Sequence, residues 1–183
     1  IFKSNALELS GIFFMKQVDS FKFTGRIIKK FVLEIIENQP IQTEIPWSIV
    51  SKKIGDSRVS LVTTAGISMT SDEPFDMNTE KKLGDWGDPS WRLIKRGSTI
   101  NDISVDHLHI DTNYIKKDLN VALPIDIVED LANRGVIGSV SNYHYSIMGY
   151  QGKDTSHLAN ISSPEIARSM KQDNVDLAIL APV

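Results

Sequence analysis

The apolar positions of the chain follow two patterns, one helical and one typical of buried strands. Between residues 27 and 36, apolar side chains recur at the spacing of an amphipathic helix. Thr24 is a suitable N-cap for this helix, and Pro40 is a suitable stop. Because no strong strand pattern accompanies it, we expect a helical extension and arm over 1–56 and an α/β domain over 57–183.

Short β-branched or aliphatic runs in the second part of the chain predict strands. These runs lie at 58–64, 103–109, 136–140 and 175–181. The first and the last are continuous rather than alternating, which is typical of strands covered on both faces. We therefore expect both at the centre of a mainly parallel sheet.

Helical signals separate the predicted strands. Residues 124–133 begin with proline, carry an apolar face and stop at Gly135. A second helix begins in the Ser-Ser-Pro-Glu segment at Ser162. Strands that alternate with helices predict a three-layer α/β fold with helices on both faces of the sheet. The polar stretch 71–99 predicts a long loop that serves a site.

Composition excludes several classes of function. The chain has 20 Lys and Arg against 23 Asp and Glu, a formal net charge of -3, and no dense basic stretch, so we expect no nucleic-acid partner. No apolar run approaches the roughly 20 residues of a membrane span, and we expect a cytoplasmic protein without membrane contact. The absence of cysteine excludes a disulfide or a thiol nucleophile within these residues.

The densest group of potential ligands lies at the end of the second predicted strand. Alternate residues of a strand share a face, which would place His107, His109 and Asp111 together. Two imidazoles and a carboxylate could ligate zinc or iron, which gives a metal-dependent hydrolase as an alternative function. In the other interpretation the imidazoles form structural contacts and Asp111 caps the next turn. With no thiolate and one such cluster, we expect no tightly bound structural metal.

An aromatic segment follows the third predicted strand. We expect a loop at 142–150 that presents His144 and Tyr145 to a pocket, since ligands bind beyond the carboxyl ends of parallel strands. Imidazole can transfer protons near neutral pH. The alternative is an aromatic loop that packs over the sheet.

A further candidate pair lies within the polar stretch. Asp88 and Arg92 could brace the loop together, or Arg92 could hold a substrate carboxylate through paired hydrogen bonds.

The order of these motifs resembles a known family. Five motifs follow one another: Thr-Thr-Ala-Gly at 63–66, Gly-Asp-x-Ser-x-Arg from Gly87, His-x-x-x-Asp from His107, Lys-Asp-x-Asn-x-x-x-Pro-Ile-Asp from Lys117 and His-x-x-x-Met-Gly from His144. Together they resemble the selenoprotein B family of glycine, betaine, sarcosine and D-proline reductases over 58–183. The D-proline reductase-like branch is the most similar.

The resemblance implies a reductase subunit whose complete form cleaves a C–N bond of a small amino acid or amine. The run 175–181 would lead into a loop with a selenocysteine or cysteine, and the chain stops at Val183 before it. We therefore expect this chain to be inactive alone. Selenocysteine uses a codon otherwise read as stop, which is one interpretation of this end, and a deliberate truncation would look the same.

The resemblance also implies partners and residue roles. We expect an oligomer with a partner reductase subunit that carries a pyruvoyl group. His107 and His144 would keep the chalcogen anion ionised or protonate the leaving nitrogen, and Asp111 would orient His107. We predict that these three residues meet at the carboxyl edge of the sheet beside Val183. A non-catalytic association module, docking through the N-terminal helix, is a further alternative.

Overall fold

A computed structural model describes residues 25–37, 48–108 and 110–183. The chain divides into two compact units after Ser48. In the first unit, helix α1 spans Arg26–Glu37 and confirms the predicted amphipathic helix. Its expected cap Thr24 and stop Pro40 lie outside the described residues.

The second unit alternates strands with helices. Its helices are α2 (Met77–Leu83), α3 (Thr112–Lys117), α4 (Ile125–Asn133) and α5 (Ser163–Gln172). Its strands are β1 (Arg58–Thr63), β2 (Ile67–Met69), β3 (Trp91–Lys95), β4 (Ile103–Val105), β5 (Ser139–Val140), β6 (Tyr143–Ile147) and β7 (Leu177–Ala181). Short 3₁₀ turns and a π-helical turn at Leu158–Ser162 complete it.

Strand β1 lies at the centre of a five-stranded, mainly parallel sheet, as predicted. Strand β7 pairs with β1 in parallel along one edge, from Val59–Leu177 to Thr63–Ala181. The other edge is shared by β5 near the start of β1 and β6 near its end, both also parallel. Strand β3 adds antiparallel to β6 at the far side.

Strand β7 occupies a different place from the one its sequence predicts. Among the described strands it pairs with β1 alone, so it lies at the margin of the sheet and not at its centre. Ile179 is 41% exposed and Leu180 is 72% exposed. A continuous apolar run shows that a strand avoids polar side chains on both faces, but it carries no information on how many neighbours the strand has.

Helices cover both faces of the sheet. Leu61 points to the face that packs with Val128 of α4 in the main hydrophobic cluster. The next residue, Val62, pairs with Tyr145, whose hydroxyl donates to Ser169 of α5 at 2.9 Å. Since successive strand residues point to opposite faces, α4 and α5 lie on opposite sides, which confirms the three-layer α/β fold.

Three segments differ from the sequence prediction. The polar stretch 71–99 contains α2 and β3 in addition to loops. The segment 142–150 contains β6. The strand predicted at 103–109 ends at Val105 and pairs with β2 in a separate two-stranded antiparallel sheet. In the first two segments mixed polarity hides short elements, and the hydrogen bonds of β3 and β6 join distant parts of the chain.

The two longer helices of the second unit follow their sequence signals. Helix α4 ends before Gly135, which has a φ of 69°. Helix α5 begins with the expected proline in its first turn. In the described ranges, no helix combines the length and the apolar character that crossing a membrane requires.

Candidate active site

A pocket opens where β1 and β7 end at the carboxyl edge of the sheet. It has a volume of about 460 Å³ and is called the edge pocket below. Its lining consists of Thr64, His107, Ile110, Gly149, Tyr150, Pro182 and Val183. Ligands of parallel α/β sheets bind at this edge, beyond the carboxyl ends of the strands.

Thr64 joins the chain segments that form one wall of the edge pocket. Its backbone N–H donates to the carbonyl of Ala181 at 3.3 Å, and its carbonyl accepts the N–H of Gly149 at 3.0 Å. Its side-chain Oγ1 accepts the N–H of Val183 at 2.9 Å. A Cβ on Gly149 would lie 3.2 Å from Cβ of Thr64, so the close approach favours glycine.

A glycine turn after β1 brings His107 to the same edge. Gly66 has a φ of 60°, and a Cβ there would lie 2.5 Å from the carbonyl oxygen of Asp106. The carbonyl of Gly66 accepts the N–H of Asp106 at 2.9 Å, and its N–H donates to Ile147 at 3.1 Å. The turn therefore ties the end of β4, which lies two residues before His107, to the ends of β1 and β6.

His107 and Val183 line one pocket, as predicted, although His107 reaches it through the Gly66 turn and not from a strand of the parallel sheet. Asp111 is exposed and is the N-cap of α3, where its Oδ1 accepts the N–H of Asn113 at 3.0 Å. Its carboxylate is therefore engaged by the helix, and it is not among the residues that line the edge pocket. His109 lies outside the described residues.

His107 and Asp111 do not share a strand face, contrary to the prediction. Strand β4 ends two residues before His107, and Asp111 already belongs to the start of α3. Across the described ranges, no three His, Asp or Glu side chains gather as metal ligands. The hydrolase alternative thus has no geometric support in this part of the chain, and the expected absence of a structural metal stays a prediction.

His144 is placed differently from its prediction, because it lies inside β6 and not in a loop at the edge. Its side chain is wholly buried, and Nδ1 accepts the N–H of Leu61 at 3.1 Å. It comes three residues before the end of β6 at Ile147, roughly 10 Å back from the carboxyl edge. The expected meeting of His144 with His107 at the edge pocket is therefore wrong.

Burial explains the protonation state of His144. Loss of solvent lowers its pKa from 6.5 to about 4, with Glu129 opposing and Arg96 assisting the shift. Its Nε2 has no hydrogen-bond partner among the described residues. Strands β5 and β6 pair with different parts of β1, and Leu61 lies between these two parts. The neutral imidazole of His144 accepts the N–H of Leu61 in place of a backbone carbonyl.

Tyr145 also lies in the interior. Its ring lies beside that of Trp91 with centroids 5.8 Å apart, and its hydroxyl donates to Ser169. Burial raises the pKa of Tyr145 above its ordinary value. The phenol joins β6 to α5 and lies outside the edge pocket.

Asp88 and Arg92 hold the polar segment together, with Ser90 between them. Asp88 is buried and accepts the backbone N–H groups of Asp76 and Ser90, each at 2.9 Å. Arg92 Nη1 donates to Ser90 Oγ at 2.8 Å, and the guanidinium lies 4.4 Å from the ring centroid of Phe75.

The remaining donors of Arg92 are directed to backbone carbonyls of the same segment. Nε donates to Glu73 at 2.7 Å, and Nη2 donates to Pro74 at 3.1 Å. These contacts match the interpretation in which Asp88 and Arg92 brace the loop. Both Asp88 and Arg92 line a separate cleft and not the edge pocket.

Sequence reasoning did not single out Thr64 or Tyr150. Thr64 is the second threonine of the Thr-Thr-Ala-Gly motif, directly after β1, and this position was the available signal. The hydroxyl of Tyr150 donates to the carbonyl of Gly84 at 3.2 Å. A Cβ on Gly87 would lie 1.8 Å from the carbonyl oxygen of Tyr150, so the glycine permits this approach.

Comparison with known proteins is informative at the level of family. The family model for glycine/sarcosine/betaine reductase selenoprotein B matches residues 26–183. The D-proline reductase subunit gamma of Acetoanaerobium sticklandii is 34% identical over 141 residues, which are 77% of this chain and 54% of that protein. No solved structure gives a significant match.

Two further relatives are more distant. The glycine reductase complex component B subunit gamma of Symbiobacterium thermophilum is 25% identical over 168 residues, 86% of this chain and 37% of that protein. The sarcosine reductase complex component B subunit beta of Peptoclostridium acidaminophilum is 25% identical over 142 residues, 75% of this chain and 31% of that protein. The chain thus spans about half the length of the first relative and about a third of the other two.

Proposed function

The chain belongs to the glycine/sarcosine/betaine reductase selenoprotein B family, and we propose that it forms part of a subunit that reductively cleaves a C–N bond. The substrate class is a small amino acid or amine. The relatives are named as subunits of multi-component reductases, which supports a partner subunit for this chain. The similarity to a D-proline reductase subunit favours D-proline or a related cyclic amino acid.

The observation that carries this proposal is the edge pocket. It combines the exit of β7 with His107, Thr64, Tyr150 and an apolar wall, at the edge where α/β proteins bind ligands. A volume of about 460 Å³ lies within the range of small-molecule sites. The shape and the position therefore suit a small amino acid beside the segment that follows β7.

The redox group expected beyond Val183 would supply a nucleophilic selenolate or thiolate for the α-carbon. Cleavage of the C–N bond leaves its electron pair on nitrogen, which then takes a proton. Two residues of this chain serve that step: His107 lines the pocket and would donate the proton, and Thr64 holds the backbone that leaves β7.

The other expected site residues act at a distance in this proposal. Asp111 fixes the start of α3 and with it the segment after His107. Asp88 and Arg92 stabilise the polar segment, while His144 and Tyr145 keep β6 in place from inside the domain. A pyruvoyl group on the partner subunit, an oligomeric assembly and a cytoplasmic location belong to the same proposal.

Turnover by the full-length protein with its partner subunits tests the proposal. Purified complex would receive a dithiol reductant and, separately, D-proline, glycine, sarcosine or betaine. We expect D-proline to be opened to 5-aminopentanoate, with one proton added to nitrogen and one to the α-carbon, as followed by mass spectrometry. Failure to reduce any of these substrates, while hydrolysing an amide or ester in a metal-dependent manner, would refute it.

A further inference from the structure

We propose that Thr64 is a positioning residue whose hydroxyl fixes the direction in which the backbone leaves β7. Its effect on turnover rests on the proposed function, because it sets the place of the residue that follows Val183. The hydrogen bond itself is independent of that function. It is visible in the contact of Thr64 Oγ1 with the Val183 N–H at 2.9 Å.

The need for a side-chain acceptor follows from the ladder between β1 and β7. The strands pair in register up to Thr63 and Ala181, and the N–H of Thr64 still donates to the carbonyl of Ala181 at 3.3 Å. In the same ladder the N–H of Asp176 donates to the carbonyl of Arg58, so even spacing would next bring the N–H of residue 182 to the carbonyl of Thr64. Residue 182 is Pro182, which has no N–H, so the next N–H along the chain is that of Val183.

The carbonyl of Thr64 is not directed to β7. It accepts the N–H of Gly149 at 3.0 Å, on the side of β6. The side-chain Oγ1 is the acceptor on the β7 side, and it takes the N–H of Val183. The same hydroxyl lies 3.5 Å from the carbonyl oxygen of Val183. Thr64 therefore links the ends of three strands. Its carbonyl binds the segment after β6, and its hydroxyl binds the segment after β7.

The bond between Thr64 and Val183 lies at the edge pocket. The pocket is lined by Thr64, Val183, Gly149 and His107, so the backbone that leaves β7 and the imidazole of His107 face the same space. Loss of the hydroxyl would free the segment after Ala181 while the ladder before it stays intact. We expect the backbone after Val183 then to lose its fixed distance from His107.

Hydrogen exchange of the Val183 amide tests the assignment in the purified chain. Thr64→Val keeps the shape of the side chain and removes the acceptor, and Thr64→Ser keeps the acceptor. Since one hydrogen bond of ordinary strength corresponds to about tenfold in an equilibrium constant, we expect exchange about tenfold faster in Thr64→Val and nearly unchanged in Thr64→Ser. Unaltered exchange in Thr64→Val would overturn the assignment.

Thr79→Val is the matched control. It removes another threonine hydroxyl that donates to a cap residue, Asp76, at 2.7 Å in α2. It should leave the Val183 amide unchanged. If Thr79→Val accelerates exchange as much as Thr64→Val, the effect reflects general loosening, and the assignment is overturned.

The full-length reductase with its partners separates this inference from the proposed function. We expect Thr64→Val to lower kcat with little change in KM, and Thr64→Ser to restore it. Normal turnover in Thr64→Val would overturn the positioning role. A wild-type complex that reduces no amine, combined with faster exchange in Thr64→Val, would refute the proposed function and leave the hydrogen-bond assignment supported.

Discussion

His144 shows how one side chain can substitute for a strand bond. Its Nδ1 accepts the N–H of Leu61, and only the neutral imidazole can do this. Its sequence setting, beside two tyrosines and before a glycine, gave no sign that it lies inside a strand. The residues adjacent in sequence do not tell a buried histidine from one in a catalytic loop, because burial depends on residues far away in the chain.

The lowered pKa of His144 predicts a specific dependence of stability on pH. Above pH 6.5 both the folded and the unfolded state hold neutral imidazole. Between 6.5 and about 4 the unfolded state binds the proton and the folded state does not, so stability falls with pH and levels off below the folded pKa. Between pH 7 and pH 5 this contribution is about 2 kcal/mol.

His144→Asn isolates this effect, because its amide oxygen can occupy the place of Nδ1 and does not titrate. Urea unfolding at pH 7 and pH 5 measures how much free energy of unfolding each protein loses between the two pH values. We expect the wild type to lose about 2 kcal/mol more than the variant over this interval. Parallel pH profiles would show that His144 is not held neutral in the fold.

Asp173 is a second residue whose importance the sequence does not reveal. Its carboxylate accepts from Arg58 Nη2 at 2.7 Å and from the N–H of Asn142 at 2.8 Å, and also from Ser141 Oγ. Burial acts to raise its pKa, but the hydrogen bonds from Ser141 and Arg58 outweigh this and lower it. The carboxylate thus joins the start of β1 to the turn between β5 and β6.

Asp173→Asn should destabilise the domain by about 2 kcal/mol, since hydrogen bonds to charged groups contribute about 1.5–3 kcal/mol. Thermal or urea unfolding at pH 7 measures the change. Asp154→Asn is the control, because that exposed carboxylate accepts the N–H of Ser156 two residues away, within its own turn. Equal stabilities of the two variants would contradict the proposed role of Asp173.

At the level of elements, the sequence predicts what local patterns determine. Strand β1 and helices α4 and α5 follow from apolar runs, proline and glycine, with bounds close to those observed. Strands β3 and β6 were missed because their polar residues make tertiary contacts, such as that of Arg92 with Glu73. Such contacts have no local signature.

Two leucines on neighbouring strands have the same hydrophobic side chain but differ in burial. Leu61 of β1 is fully buried, whereas Leu180 of β7 is 72% exposed. We expect Leu61→Ala to cost about 2–5 kcal/mol and Leu180→Lys less than about 0.5 kcal/mol. Urea unfolding of the two variants checks both values. A large loss from Leu180→Lys would mean that β7 is covered.

At the scale of the whole molecule, parallel topology was the most informative inference from sequence. It placed Val183 at the carboxyl edge, because right-handed crossovers align the ends of parallel strands, whereas His107 reaches that edge from the separate β2–β4 sheet through the Gly66 turn. It could not place Asp111 or His144 correctly, because Asp111 is the N-cap of α3 and His144 lies inside β6, and the sequence predicts neither element. Family resemblance identified the motifs, but the roles of their residues depend on these packing details.

The proposed function places C–N bond reduction at the edge pocket, with His107 as proton donor. The most direct measurement is the rate of 5-aminopentanoate formation from D-proline by the full-length complex, with His107→Gln compared with His157→Gln. His157 lies outside the edge pocket, at the start of a helical turn. We predict a loss of about a hundredfold or more for His107→Gln and little change for His157→Gln. Equal rates for His107→Gln and the wild type would contradict the claim.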